Sequence, residues 1–290
     1  MGIGRLRESF GLGAVLLLTL LPDLGGQPTI TSGLYNTVKQ RLSEGKQVVG
    51  ATVTIPDPDL YCAVANAGFD FTWIEMQHSP LAYQDVARMI MACKGAPAIP
   101  FVRVPDAVEG DIQKAADIGA LGIIIPMVDT VEKAAAAVRF AMFPPRGRRS
   151  QGAGQYGALW GSTYRQTAND NLMIVAMIEN PAGVDIADKI AAVPGIDLVF
   201  VASTDLSSFS GLRQGDPKYE ALVTKVVDAT AKAGLKLGGP LAWKDSRKGY
   251  VFFQGPSEAP LIRCATRVVL GMKPTGCPTT GIAATEGSER

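Results

Sequence analysis

Gly122-Ile123-Ile124-Ile125-Pro126-Met127 and Leu198-Val199-Phe200-Val201-Ala202 are the stretches whose reading decides the fold. In both, apolar residues follow one another without the polar alternation of a half-exposed strand. Such runs are expected where both faces of a strand are covered, as in a parallel sheet flanked by helices. Outward from them, similar runs occur at Val48–Thr54, Phe71–Gln77, Ile99–Val104, Met173–Glu179, Leu235–Leu241 and Tyr250–Gln254. Helical patterns lie at Leu60–Ala67, Tyr83–Cys93, Gly110–Ile118, Thr130–Met142, Gly183–Val193, Tyr219–Ala233 and Glu258–Leu270. Strands alternating with helices in this number predict an α/β protein, a closed (β/α)8 TIM barrel rather than an open sheet. No GxGxxG fingerprint opens a helix after a strand; Gly152-Ala153-Gly154 comes nearest and follows no strand.

A chain of 290 residues suits one barrel, which the pattern places over residues 30–272. The 28 Lys plus Arg nearly cancel the 27 Asp plus Glu, and no basic stripe carries interleaved aromatics. A nucleic-acid partner or an anionic membrane is therefore not expected, and a small-molecule site is. Arg5 and Arg7 precede an apolar run, Phe10 to Leu21, too short for a stable membrane span. Residues 1–25 read as a signal peptide for periplasmic or secreted export. The alternative is an apolar N-terminal helix on a cytoplasmic protein. The tail, residues 273–290, reads as flexible. The link from Pro144 to Asn171, rich in Gly and Arg, is expected without regular structure and with a functional or interfacial role. The four cysteines show no CxxC spacing, which argues against zinc; Cys62, Cys93 and Cys264 fall in apolar helical stretches and read as buried thiols.

A barrel builds its active site where strands end. Glu75-Met76-Gln77-His78 closes the second strand, Arg103 the third and Glu179 the fifth, while the sixth leads into Ser203-Thr204-Asp205. Glu179 and Asp205 end consecutive strands, and two adjacent carboxylates suit a hard divalent cation such as Mg2+ or Mn2+. Such an ion chelates a 2-oxo acid and stabilises an enolate. Arg103 is placed to grip a substrate carboxylate in bidentate fashion. His78, the one histidine, is a candidate general base, with Glu75 three residues earlier to fix its tautomer. Blander readings compete: Glu179 as a helix cap or first-turn acid before Pro181, Asp205 as an N-cap beside Ser203 and Thr204, and His78 as a structural residue. Only Lys244 follows a strand, which argues against a Schiff-base mechanism.

The segment Phe69-Asp70-Phe71-Thr72-Trp73-Ile74-Glu75-Met76-Gln77-His78-Ser79-Pro80 resembles a motif of the HpcH/HpaI aldolase family, whose fold is the phosphoenolpyruvate/pyruvate type of TIM barrel. Further blocks resemble it in order: Phe101–Val104, Pro126–Val128, Phe143–Gly147, Ala168–Asp170, Ile178-Glu179, and Val199 through Ser207. The resemblance implies a class II aldolase, a carbon–carbon lyase that cleaves or forms 4-hydroxy-2-oxo acids, giving pyruvate and an aldehyde through an enolate. It implies a divalent metal (Mg2+ or Mn2+, with Co2+ a further candidate) on Glu179 and Asp205, and His78 as base through a water. It assigns Arg103 to the pyruvate carboxylate and keto region, with the backbone amides of Ser203 and Thr204 beside it. A homo-oligomer, trimer or hexamer with exchanged C-terminal helices, is implied too. Related lyases act on malyl- or citramalyl-CoA, for which Arg146, Arg148 and Arg149 are the one basic cluster available. A barrel that binds a 2-oxo acid without turnover is the third reading. Four departures stand out: Glu75 replaces Asp, Gln77 replaces Glu, Ala202-Ser203 replaces Gly-Pro, and residues 238–256 diverge.

Overall fold

The computed structural model describes residues 1–2, 33–275 and 277. Most of residues 1–25, read above as a signal peptide, and the tail from residue 278 lie outside the described residues. Eight parallel strands close on themselves in sequence order, β8 pairing back to β1. They are β1 Val48–Val53, β2 Phe71–Glu75, β3 Ile99–Arg103, β4 Gly122–Ile125, β5 Met173–Ile178, β6 Leu198–Val201, β7 Lys236–Pro240 and β8 Tyr250–Gln254. The helices are α1 Thr37–Ser43, α2 Pro58–Ala65, α3 Tyr83–Ala92, α4 Glu109–Asp117, α5 Val131–Ala141, α6 Tyr156–Trp160, α7 Tyr164–Asn171, α8 Pro181–Asp185, α9 Ala187–Ala191, α10 Ser203–Ser210, α11 Pro217–Lys232 and α12 Glu258–Val269. All eight expected strands form, within a residue or two at their ends. The reason is the one inferred from the unbroken apolar runs. β2 through β6 are buried at every position, because one face fills the barrel and the other meets helices.

The core accordingly divides in two. Outward-facing Ile74, Val102, Ile123, Ile125, Ala176 and Val199 pack under the helices. Inward-facing Phe71, Trp73, Phe101, Phe200 and Phe252 fill the barrel, with ring centroids 4.3 Å apart for Phe71 and Phe252. Glycines make that filling possible. A Cβ at Gly50 would strike the Phe71 ring, and one at Gly122 the Phe101 ring. The barrel is a packed plug below its mouth.

Two expectations are corrected. The Pro144–Asn171 link is structured: α6 and α7 lie against the N-terminal end of the barrel, with Gln155 donating to the Ile118 carbonyl and Trp160 to that of Gly119. Arg149 organises it, buried against the rings of Phe143, Tyr156 and Tyr164 and paired with Asp117 at 2.6 Å. Aromatic packing around one buried cation supplies the order that local propensity lacks. The cysteines are not buried thiols: Cys62 joins Cys93 across α2 and α3, and Cys264 joins Cys277 beyond α12. Chain segments brought within disulfide reach by the fold, with Cα atoms 5.3 and 5.5 Å apart, cannot be read from spacing alone. No described helix is long and apolar enough to cross a membrane.

Candidate active site

Inward positions recur at every second residue of a strand, so the last inward residue of each strand lies at the mouth. Behind Phe71 and Trp73 comes Glu75; behind Ile99 and Phe101, Arg103; behind Met173, Val175 and Met177, Glu179; behind Phe252, Gln254. β2 and β3 pair so that Glu75 is opposite Arg103. Arg103 Nη1 donates to Glu75 Oε2 at 3.2 Å, and its Nη2 stands 3.6 Å from Glu179 Oε2. All three side chains are almost wholly buried. Arg103 Nε and Nη2, and Glu179 Oε2, nevertheless have no hydrogen-bond partner. Buried polar atoms are costly unless used, so unpaired donors beside an unpaired carboxylate oxygen mark the place where something polar is meant to bind.

Glu179 is not a helix cap; Asn180 caps α8, its Oδ1 accepting from Gly183 N–H at 2.8 Å. Instead Glu179 Oε1 accepts the N–H of Met127. Met127 holds φ at 52°, a left-handed conformation costing a side-chain-bearing residue about 1 kcal/mol or more, and that turn aims its N–H at the carboxylate. Burial pushes the Glu179 carboxyl up to about 7; Arg103 and the Met127 N–H pull it down, and the neighbouring Asp205 carboxylate pushes it up again.

Asp205 is no N-cap either. α10 begins at Ser203 with Ala202 as its uncapped N-terminal neighbour, which leaves Asp205 in the first turn. The first-turn amides of Ser203, Thr204 and Asp205 thus meet no capping side chain at the end of a helix that favours anions. Ser203 is buried, anchored by Tyr219 Oη donating to its carbonyl at 3.1 Å, whereas Thr204 is exposed. Beside them lies a cavity of about 200 Å³ walled by Arg103, Thr204, Asp205 and Gln254, with the apolar Met177 and Phe200. A larger cavity of about 740 Å³ occupies the opposite end of the barrel, but Lys94 is the one charged side chain lining it.

Arg103, Glu179 and Asp205 therefore lie together at the mouth, and Glu75, expected beside His78, lies with them on Arg103. His78 does not join them: its imidazole is exposed at the rim, and no described residue hydrogen-bonds it. Glu75 makes no hydrogen bond to that ring and accepts from Trp73 Nε1, Arg103 Nη1 and the backbone N–H groups of Gln77 and His78. Gln254 and Met127 escaped the sequence reading. Gln254 could have been found by counting inward positions along Tyr250–Gln254. Met127 carries no local signal, because a left-handed methionine is a product of its surroundings.

Glu179, buried with one oxygen that accepts no hydrogen bond, and the neighbouring Asp205 offer carboxylate oxygens of the kind that a hard divalent cation takes. The residues present fit such an ion.

A closed (β/α)8 barrel with charged residues gathered at the C-terminal ends of its strands defines a class, the barrel enzymes. Within that class the chain belongs to the HpcH/HpaI aldolase/citrate lyase family, whose pattern matches residues 53–249. It is 32% identical over 210 residues to a hydroxypyruvate/pyruvate aldolase of Roseobacter denitrificans, covering 70% of this chain and 81% of that one. A 2-keto-3-deoxy-L-rhamnonate aldolase of Escherichia coli is 30% identical over 210 residues, 71% of this chain and 79% of the relative. The crystal structure of a family protein from Burkholderia cenocepacia superposes with a TM-score of 0.74 at 31% identity, over 81% of this chain and 98% of that chain. The kinship supports an aldolase, an enzyme of the lyase class.

Proposed function

We propose that this chain is a divalent-metal-dependent aldolase that cleaves or forms 4-hydroxy-2-oxo acids, with pyruvate and an aldehyde on the other side of the reaction. The carrying observation is the buried, unsatisfied Glu179 Oε2 beside Asp205, facing the unpaired donors of Arg103. Glu179 and Asp205 would hold Mg2+, Mn2+ or Co2+, which supplies Lewis acidity at the keto oxygen and offsets the charge of the enolate. Arg103 presents Nε and Nη2 to the substrate carboxylate, and the amides of Ser203 and Thr204 add the positive end of α10. In the cleavage direction His78, through an intervening water, takes the proton of the 4-hydroxyl group. The C3–C4 bond then breaks, the aldehyde leaves, and its bonding electrons form the enolate of pyruvate, which regains a proton at C3. Glu75 supports this arrangement from behind Arg103.

The observations do not favour a CoA-thioester lyase. Arg149 is buried against Asp117, which withdraws it from solvent, and Arg146 and Arg148 already face Asp170 and Glu109, so no free basic cluster stands ready for CoA phosphates among the three.

The test is pyruvate methyl exchange in D2O followed by NMR with Mg2+ or Mn2+. Exchange abolished by EDTA, and slowed about 100- to 1000-fold in Arg103→Ala with metal binding retained, is expected. Metal and pyruvate binding without exchange would select the non-catalytic barrel. Export of the chain is a second part of the reading, supported by two disulfides, which persist in oxidising compartments. Mass spectrometry of the mature protein from the producing cell should show the N-terminal segment removed; an intact cytoplasmic chain would refute export. A homo-oligomer is the third part, supported by the exposed apolar side chains of α12.

A further inference from the structure

Both oxygens of the Glu75 carboxylate are fully engaged, and its four donors belong to two different parts of the site. Oε2 accepts from Trp73 Nε1 at 3.1 Å and Arg103 Nη1 at 3.2 Å. Oε1 accepts from the backbone N–H groups of Gln77 at 2.9 Å and His78 at 3.1 Å. A guanidinium has two edges that can meet a carboxylate, and Glu75 occupies Arg103 at Nη1. The atoms left without hydrogen-bond partners, Nε and Nη2 (the latter 3.6 Å from Glu179 Oε2), together make the side-on edge, the fork that matches a carboxylate in two parallel hydrogen bonds. Arg103 also walls the cavity in which Asp205 and the start of α10 meet.

We infer that Glu75 is a positioning residue for recognition of a small carboxylate: it pins Arg103 by one nitrogen so that the opposite edge stays presented, and with its other oxygen it ties down the turn that carries His78. An arginine side chain free to rotate loses about 2 kcal/mol of rotamer entropy when a ligand fixes it, and Glu75 removes that cost before the ligand arrives. Arm length matters because Oε2 must reach across to β3 while Oε1 receives the amides of its own turn. Trp73, fully buried two residues earlier on the same inward face, holds Oε2 from below by its indole N–H. Glu75 thus acts through Arg103 and the backbone, and does not tune the His78 imidazole.

The identity of the carboxylate rests on the proposed function, so the experiment reads binding and turnover separately. Oxalate and pyruvate affinities are measured by calorimetry on the Mn2+-loaded full chain, with pyruvate exchange kinetics in parallel. For Glu75→Asp, one methylene short, both affinities should fall and the exchange KM rise about 10- to 100-fold, with kcat changed less than about threefold and its pH profile in place. Glu75→Gln keeps the length but replaces one acceptor with a donor, and should show a loss in the same direction. Should Glu75→Asp fail to fold, as judged by its thermal transition, the Glu75→Gln affinities decide. Unchanged affinities in the folded variant, or a displaced kcat pH profile with affinities intact, would overturn the inference, the second by returning Glu75 to the imidazole. Wild-type binding without exchange would sink the aldolase reading and leave the positioning role standing on affinities; no wild-type binding of either anion would sink both.

Discussion

Glu179 is where burial and chemistry conflict most. Its carboxyl is pushed up to about 7 from an ordinary 4.5, first by burial. Between those values the folded chain holds a proton that the unfolded chain has released, so stability of the metal-free protein should fall as pH rises from about 4.5 to 7. The expected readout is a Tm lower by a few °C at pH 8 than at pH 5.5, and Glu179→Gln should flatten that slope. Because cation and proton compete for the same oxygens, Mn2+ should raise Tm more at pH 8 than at pH 5.5. A metal-free Tm that climbs over this range would contradict the assignment. At this scale much was legible: Glu75, Arg103, Glu179 and Asp205 each close or follow a strand, and strand ends converge in a barrel. The partners were not. Glu75 was expected on the His78 imidazole and instead meets Arg103, because the parallel register places it opposite that residue and turns both inward.

At the scale of elements, the strands were readable because double burial writes itself as unbroken apolar runs. The link between α5 and β5 was not, since α6 has five residues and α7 ends in Asn169-Asp170-Asn171, poor helix formers. Its order comes from contacts distant in sequence. Asn36 and Asn171, both fully buried, clasp each other across the N-terminal end of the barrel. Asn36 Nδ2 donates to the carbonyls of Leu121 and Asn171, while Asn171 Oδ1 accepts from the N–H groups of Tyr35 and Asn36. Asn36 also caps α1 through the N–H groups of Val38 and Lys39. Asn36→Ala should therefore cost about 2–4 kcal/mol in urea unfolding, combining a lost cap with buried carbonyls left unpaired. A loss under about 0.5 kcal/mol would mean that the clasp contributes nothing.

On the scale of the whole molecule, α12 stands out. It buries Glu258, whose carboxylate accepts from the N–H groups of Thr54 and Ile55, and otherwise leaves Ile262, Val268, Val269 and Leu270 more than half exposed. Ile262 and Val269, seven residues apart, lie on the same side of the helix, and exposed apolar side chains so placed mark an interaction face. Sedimentation should show a homo-oligomer, and Val269→Asp combined with Ile262→Asp should release smaller species with the barrel still folded. A monomeric wild type would remove this reading. The disulfides bear on the same scale: Cys62–Cys93 fastens neighbouring helices and Cys264–Cys277 ties the chain back to α12. Thiol titration of the native protein should find no free thiol among these four, and reduction should lower Tm, since each cross-link limits the unfolded chain.

What the amino-acid order determined alone is the barrel, its eight strands and the charged residues closing them, because those depend on local patterns: unbroken apolar runs for doubly buried strands and a period of about 3.6 for the helices. What only the tertiary structure decided is who meets whom. The pairing of Glu75 with Arg103, the left-handed Met127 turned toward Glu179, the Asn36–Asn171 clasp and both disulfides join residues whose meeting is set by register and packing. No local pattern encodes such meetings, because each is fixed by the closure of the whole sheet and not by the residues on either side.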